Sequence, residues 1–115
     1  MLFRSAPPIK IHAVRGYGAE IIFCERDERE QVCDRVVAER GMTLIHPFEH
    51  PDVIAGQGTA ALELLEQAGG LDLVIAPVGG GGLLSGTTIA VTAVSPGTVV
   101  RGAEDRKSTR LNSSH

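Results

Sequence analysis

Four consecutive glycines, Gly79–Gly82, stand between an apolar run, Leu71–Val78, and a stretch of small residues, Leu83–Val94. Without Cβ atoms, successive backbone N–H groups can converge into a nest. A helix starting directly after the nest adds its positive dipole end and its unpaired N–H groups. The product is a cradle for an anion, most often a phosphate. A tight strand-to-helix turn needs one or two glycines, not four. The carboxyl end of a central strand is also where open α/β sheets place ligands. No lysine follows the glycines, so the Gly-Lys-Ser/Thr ending of a P-loop is missing and the common NTPase form is excluded. Gly80, Gly82 and Ser85 come near the dinucleotide fingerprint G-x-G-x-x-G but fail at its last position. Glu104 falls 24 residues after Gly80, where a ribose-binding acid would sit. An NAD-binding Rossmann-type fragment is therefore an alternative, and a non-catalytic phosphate-binding module is another.

The remaining reactive side chains offer less. His46 and His50 are spaced i, i+4, but Pro47 between them forbids a helical metal face. His46 is expected to serve loop or strand-end structure. Ser85 and Ser95 have no base near them in sequence, and Tyr17 is expected to pack rather than to move protons. Cys24 and Cys33 lack a CxxC or His-paired zinc spacing and read as ordinary reduced thiols of a cytoplasmic protein. No residue is singled out as catalytic.

Elements that could position the glycine run alternate along the chain. Ile9–Arg15 reads as a helix stopped by Gly16 and Gly18. Ile21–Cys24 reads as a short buried strand. Asp27 is a candidate N-cap for a second helix, with Glu28 and Glu30 in its first turn, a face of Val32, Val36 and Val37, and Gly41 as its stop. Met42–His46 is expected as a strand and Pro47–Pro51 as a turn. Asp52–Ala68 reads as a helix with Ile54, Ala55, Leu62, Leu65 and Ala68 on one face. Gly56 and Gly58 each weaken that helix by about 1 kcal/mol against Ala, which points to a packing or functional reason for them. Leu71–Val78 is the strongest strand, Leu83–Val94 a small-residue helix, and Thr98–Gly102 the last strand. This alternation implies an α/β fold, a parallel twisted sheet with helices on both faces.

Taken together, the motifs resemble the serine racemase and threonine/serine dehydratase group of fold-type II pyridoxal-phosphate enzymes. The resemblance runs over nearly all of residues 6–104. It rests on Arg15-Gly16-Tyr17-Gly18-Ala19-Glu20, on His46-Pro47-Phe48, on Val53-Ile54-Ala55-Gly56-Gln57-Gly58-Thr59 with Glu63 four residues on, and on Pro77 to Gly86. It implies a tryptophan-synthase-β-like fold, incomplete here, and pyridoxal 5'-phosphate as cofactor. By match, the amides of Gly79, Gly80, Gly81, Gly82 and Leu83 would hold the cofactor phosphate, and Phe48 would lie near its ring. Glu104 matches a carboxylate that binds Mg²⁺ or Ca²⁺ in many members, whose other ligands lie further on. The implied activity is a threonine/serine ammonia-lyase or a serine racemase acting on small β-hydroxy amino acids, as a homodimer or homotetramer. The family's Schiff-base lysine lies earlier than this segment, and Lys10 is the only lysine in residues 6–104. The chain alone is therefore expected to be inactive.

Both ends differ from what lies between them. Residues 105–115, Asp-Arg-Lys-Ser-Thr-Arg-Leu-Asn-Ser-Ser-His, back-translate to a string that matches a common short-read sequencing adaptor, and residues 1–5 fit the opposite adaptor end. Residues 6–104 are then expected to be an internal fragment, holding part of a small domain and part of a large one, and the end segments are set aside from fold reasoning. Removing Arg4, Arg106, Lys107 and Arg110 from eleven basic residues, and Asp105 from fourteen acidic ones, deepens the net charge from −3 to −6. With three Phe, one Tyr and no Trp, that charge argues against nucleic acid as a partner. Hydrophobic residues at 43% suffice for a core. No apolar run reaches the roughly 18 residues that span a bilayer, so no membrane is expected.

Overall fold

The structure is a computed structural model that describes residues 2–3 and 6–105. Most of the end segments read as adaptor-derived lie outside those residues. The chain divides into two compact units, with the break after Leu44.

The first unit holds β1 (Leu2–Phe3), α1 (Pro8–Gly16), β2 (Phe23–Cys24) and α2 (Arg29–Arg40). β1 and β2 pair in parallel, Leu2 opposite Phe23, so a pair of residues set aside as foreign joins a strand ladder. Pro8 opens α1, where its missing N–H is harmless. α2 ends at Gly41, which takes the left-handed conformation at φ 61°. Its start differs from the expected Asp27 cap. Glu28 is the N-cap, with helical dihedrals and no side-chain cap bond, because Glu28 N–H is already turned onto Glu25 O at 3.3 Å. Arg40 grips Glu20 through both guanidinium nitrogens, at 2.7 and 3.0 Å. The Arg40 bond and charge hold the Glu20 carboxyl below the ordinary glutamate value. Neither helix of this unit has a buried residue; Cys24 is buried.

Met42–His46, expected as a strand, joins no ladder. Met42, Leu44 and Ile45 are 54%, 50% and 76% exposed. Strand propensity there has neither a partner edge nor a packed face to act on.

The second unit holds α3 (Pro51–Ala68), β3 (Leu73–Pro77), α4 (Gly82–Val94) and β4 (Val99–Ala103). β3 and β4 pair in parallel from Leu73 opposite Val99 to Pro77 opposite Ala103. Thr98 locks the entry to β4: its hydroxyl donates to Leu71 O at 2.6 Å and lies 2.8 Å from Ser95 Oγ. The core comprises Ala61, Val74, Ala90 and Val91, with Leu65, Leu71 and Val100 packed against it. The expected apolar stripe of α3 is turned slightly. The more buried positions are Ile54, Gly58, Ala61 and Leu65, while Ala55, Leu62 and Ala68 are exposed.

The reason is the crossing of α3 and α4. A Cβ on Gly58 would lie 2.9 Å from Gly86 O, and one on Gly86 would lie 2.6 Å from Gly58 N and against Ile54 O. Two glycines thus let two helix backbones touch. Gly56, two residues before Gly58, has no such neighbour within 4 Å. β3 is buried on one face only: Val74 and Ala76 point inward, whereas Leu73 and Ile75 are 48% and 61% exposed.

Candidate functional site

The parallel pairing of β3 and β4 brings their carboxyl ends to one edge of the sheet, where Val78 N–H donates to Ala103 O at 2.9 Å. The glycine loop leaves from one strand at this edge and Glu104 from the other. Gly81 is the N-cap of α4 and sits in the left-handed region at φ 92°, a conformation open to glycine at little cost. Ser85 N–H closes onto Gly81 O at 2.9 Å. The amides of Gly82, Leu83 and Leu84 therefore precede the intrahelical ladder and have no acceptor in it.

The four glycines are required for different reasons. A Cβ on Gly80 would overlap the Phe48 ring. One on Gly82 would lie 3.0 Å from Phe48 O and 3.1 Å from Phe48 Cα. Gly81 is fixed by its backbone angle. Gly79 meets nothing within 4 Å, has no positive φ and is exposed. Packing against Phe48 explains two of the glycines and a backbone angle the third, and the fourth borders open space beside amides that precede the helix ladder. A phosphate fits that arrangement, since it needs converging donors and room for close backbone approach.

Phe48, tied to the cofactor in the sequence reading by resemblance, is half-buried against the glycine loop. The turn that carries it is shaped by His46. His46 Nδ1 accepts Glu49 N–H at 2.9 Å and Phe48 N–H at 3.4 Å. Its ring also meets the Phe48 ring edge-on at a centroid distance of 5.3 Å. His50 repeats the device one step on, accepting Asp52 N–H at 3.2 Å as the N-cap of α3. The expectation of a structural His46 holds, but its specific partners were missed. The signal was present in the sequence, a polar side chain two residues before a turn amide.

Other candidates are not drawn in. Glu104 is exposed just past β4. Among the described residues no three of His, Cys, Asp and Glu gather into a metal cluster. Ser95 is bonded to Thr98. Cys24 and Cys33 are free thiols. Tyr17, expected to pack, is 87% exposed; it caps α1 through its backbone N–H, and its ring follows the chain into solvent. No helix among the described residues is long and apolar enough to cross a membrane.

A glycine loop between a parallel strand and a helix, at the carboxyl edge of the sheet, is the arrangement of α/β proteins that hold anions at a helix amino end. The chain belongs to the pyridoxal-phosphate dependent enzymes, a family matched over residues 1–115. Over 101 residues it is 52% identical to the L-threo-3-hydroxyaspartate ammonia-lyase of Saccharomyces cerevisiae, covering 86% of this chain and 31% of that protein. It is similar in structure to the serine racemase of Dictyostelium discoideum, with a TM-score of 0.80 and 46% identity over 90% of this chain and 34% of that one. Maize serine racemase gives a TM-score of 0.85 and 42% identity, over 90% and 32%. The chain thus spans about a third of the length of the relatives it matches. The expected fold class and cofactor, pyridoxal phosphate, are those of the family.

Proposed function

We propose that residues 6–104 are an internal fragment of a pyridoxal-phosphate-dependent ammonia-lyase or racemase that acts on small β-hydroxy amino acids. The observation that carries this is the open amide cradle at Gly79–Leu83, beside a Gly79 that no protein atom crowds. When bound, the cofactor supplies an electron sink for the carbanion left by α-proton removal. The chain's own part is binding and orientation. The amides of Gly79, Gly80, Gly81, Gly82 and Leu83 would donate to the phosphate, and the amino end of α4 favours its negative charge. Phe48 would close one side of the cradle and keep water from it. Glu104 would contribute one carboxylate to a Mg²⁺ or Ca²⁺ site completed by residues further on in the intact enzyme.

Lys10, on α1, is the sole lysine of residues 6–104 and is not proposed as the cofactor's covalent anchor. The chain alone is therefore inactive, and the intact enzyme is a cytoplasmic homodimer or homotetramer. Among substrates, L-serine, L-threonine and 3-hydroxyaspartate fit the class, and the 52% identity to a hydroxyaspartate ammonia-lyase supports including the last.

The test is a ¹H–¹⁵N titration of the chain with pyridoxal phosphate and, separately, with NAD, alongside an assay for keto acid from the three amino acids. Pyridoxal phosphate is expected to shift the Gly79–Leu83 amides, NAD to leave them in place, and no keto acid to form. Shifts with NAD alone would turn the assignment to a dinucleotide-binding fragment. Keto acid release by the chain alone would overturn the inactive-fragment assignment.

A further inference from the structure

His46 is joined to the glycine cradle through Phe48. Its Nδ1 accepts two consecutive turn amides, Phe48 N–H and Glu49 N–H. A ring nitrogen accepts only while it carries no proton, so this geometry requires the neutral imidazole with its hydrogen on Nε2. The turn it holds delivers the Phe48 ring onto Gly80 and the Phe48 backbone onto Gly82. Protonation of Nδ1 would replace an acceptor by a donor facing two donors. Histidine is the side chain whose charge ordinarily changes between about pH 5 and 8.

The ionisable groups around the cradle are few. The glycine loop, β3 and α4 carry none; β4 carries Arg101, and Glu104 follows it at the sheet edge from which the glycine loop leaves. The ionisable groups of the turn are Glu49 and His50, with Asp52 at the start of α3. His50 is engaged with Asp52, whose carboxylate lies 3.9 Å from Nδ1.

We propose that His46 is a positioning residue for the glycine cradle: its neutral ring fixes Phe48 against Gly80 and Gly82, and its protonation loosens that contact and weakens anion binding there. The anion-binding half rests on the phosphate-cradle assignment above; the positioning half does not.

The experiment follows the full chain by ¹H–¹⁵N NMR between pH 5 and 8, first without ligand. The amides of Phe48, Glu49, Gly80 and Gly82 are expected to shift with one midpoint, that of the His46 ring protons. His46→Asn, whose side-chain oxygen can accept the same amides without titrating, should keep the neutral-pH shifts and flatten the profile. His50→Asn should leave the profile in place. Glycine amides that ignore the His46 midpoint, or that keep their profile in His46→Asn, would overturn the proposal. Inorganic sulfate, whose charge is constant in this range, is then titrated at both extremes. Its affinity should fall roughly fivefold at pH 5 in the wild type, the scale of one lost hydrogen bond, and stay level in His46→Asn. Sulfate that moves none of the Gly79–Leu83 amides at either pH would refute the cradle itself, while the ligand-free profile still decides the role of His46.

Discussion

The unit ending at Leu44 and the unit beginning at Ile45 are built from the same parts, two helices and a parallel strand pair each. They differ in what those parts bury. α1 and α2 contain no buried residue, whereas α3 and α4 together bury Gly58, Ala61, Gly82, Gly86, Thr87, Ala90 and Val91. The difference lies in residue size at the contact. Small residues let α3 and α4 meet backbone to backbone and press on β3 and β4, so short side chains suffice to make a core. The valines of α2 form a stripe, but half-buried positions are all it provides. The candidate site sits in the unit that has a core, which gives its amides a fixed frame.

The contrast is broken most directly at the crossing. Gly86→Val places a branched side chain against Ile54 O and Gly58 N. It should destabilise the second unit by about 3 kcal/mol or more, above the usual range for overpacking because backbone rather than side chain must yield. Loss of amide-exchange protection in β3 and α4 would register it.

Next comes the cradle. Gly80→Ala should cost about 1–3 kcal/mol through the Phe48 ring. In a Phe48→Ala background most of that cost should vanish, and a double-mutant cycle by urea denaturation measures the coupling. A cost unchanged by the second substitution would remove Phe48 as its cause.

Gly56→Ala runs the other way. With open space around it, alanine should stabilise α3 by about 0.5–1 kcal/mol, read as a rise in denaturation midpoint. Gly56 and Gly58 thus separate by sign on one helix.

The smallest effect belongs to the first unit. Glu20 has its carboxyl pKa lowered by Arg40. Its contribution is complete above the ordinary value of 4.5 and is lost as pH falls through the lower folded value. Glu20→Gln should therefore reduce stability slightly at neutral pH and flatten the acid limb of an unfolding profile. Both groups are exposed, so screening by salt should shrink the effect further.

These outcomes mark where the sequence was legible. The β3–loop–α4–β4 order was readable because an apolar run, a glycine cluster and a small-residue run follow one another with clear punctuation. Gly41 was readable as a helix stop for the same reason. The crossing was half readable: a glycine inside a helix, Gly58, points to a packing reason, but Gly56 carries the same mark without one, and the partner Gly86 leaves no mark in hydrophobic periodicity. The stripe drawn through Ala55, Leu62 and Ala68 was displaced accordingly. Met42–His46 failed as a strand because β propensity expresses a pairing and a packed face, and both are tertiary facts. At the site, composition alone pointed to the glycine amides. The seating of Phe48 on Gly80 is a contact across the fold that no spacing rule names, whereas the hold of His46 on the Phe48 turn is local and had its signal in a polar side chain two residues before a turn amide.

The division of labour among the four glycines has a consequence for selection. In a library covering residues 79–82, variants at 80, 81 and 82 are purged wherever folding is selected, because a ring, a backbone angle and a carbonyl forbid their side chains. Position 79 is purged only where ligand occupancy is selected. Comparing survivors of an expression screen with survivors of an activity screen in the intact enzyme, at that one codon, separates the demands of architecture from those of chemistry.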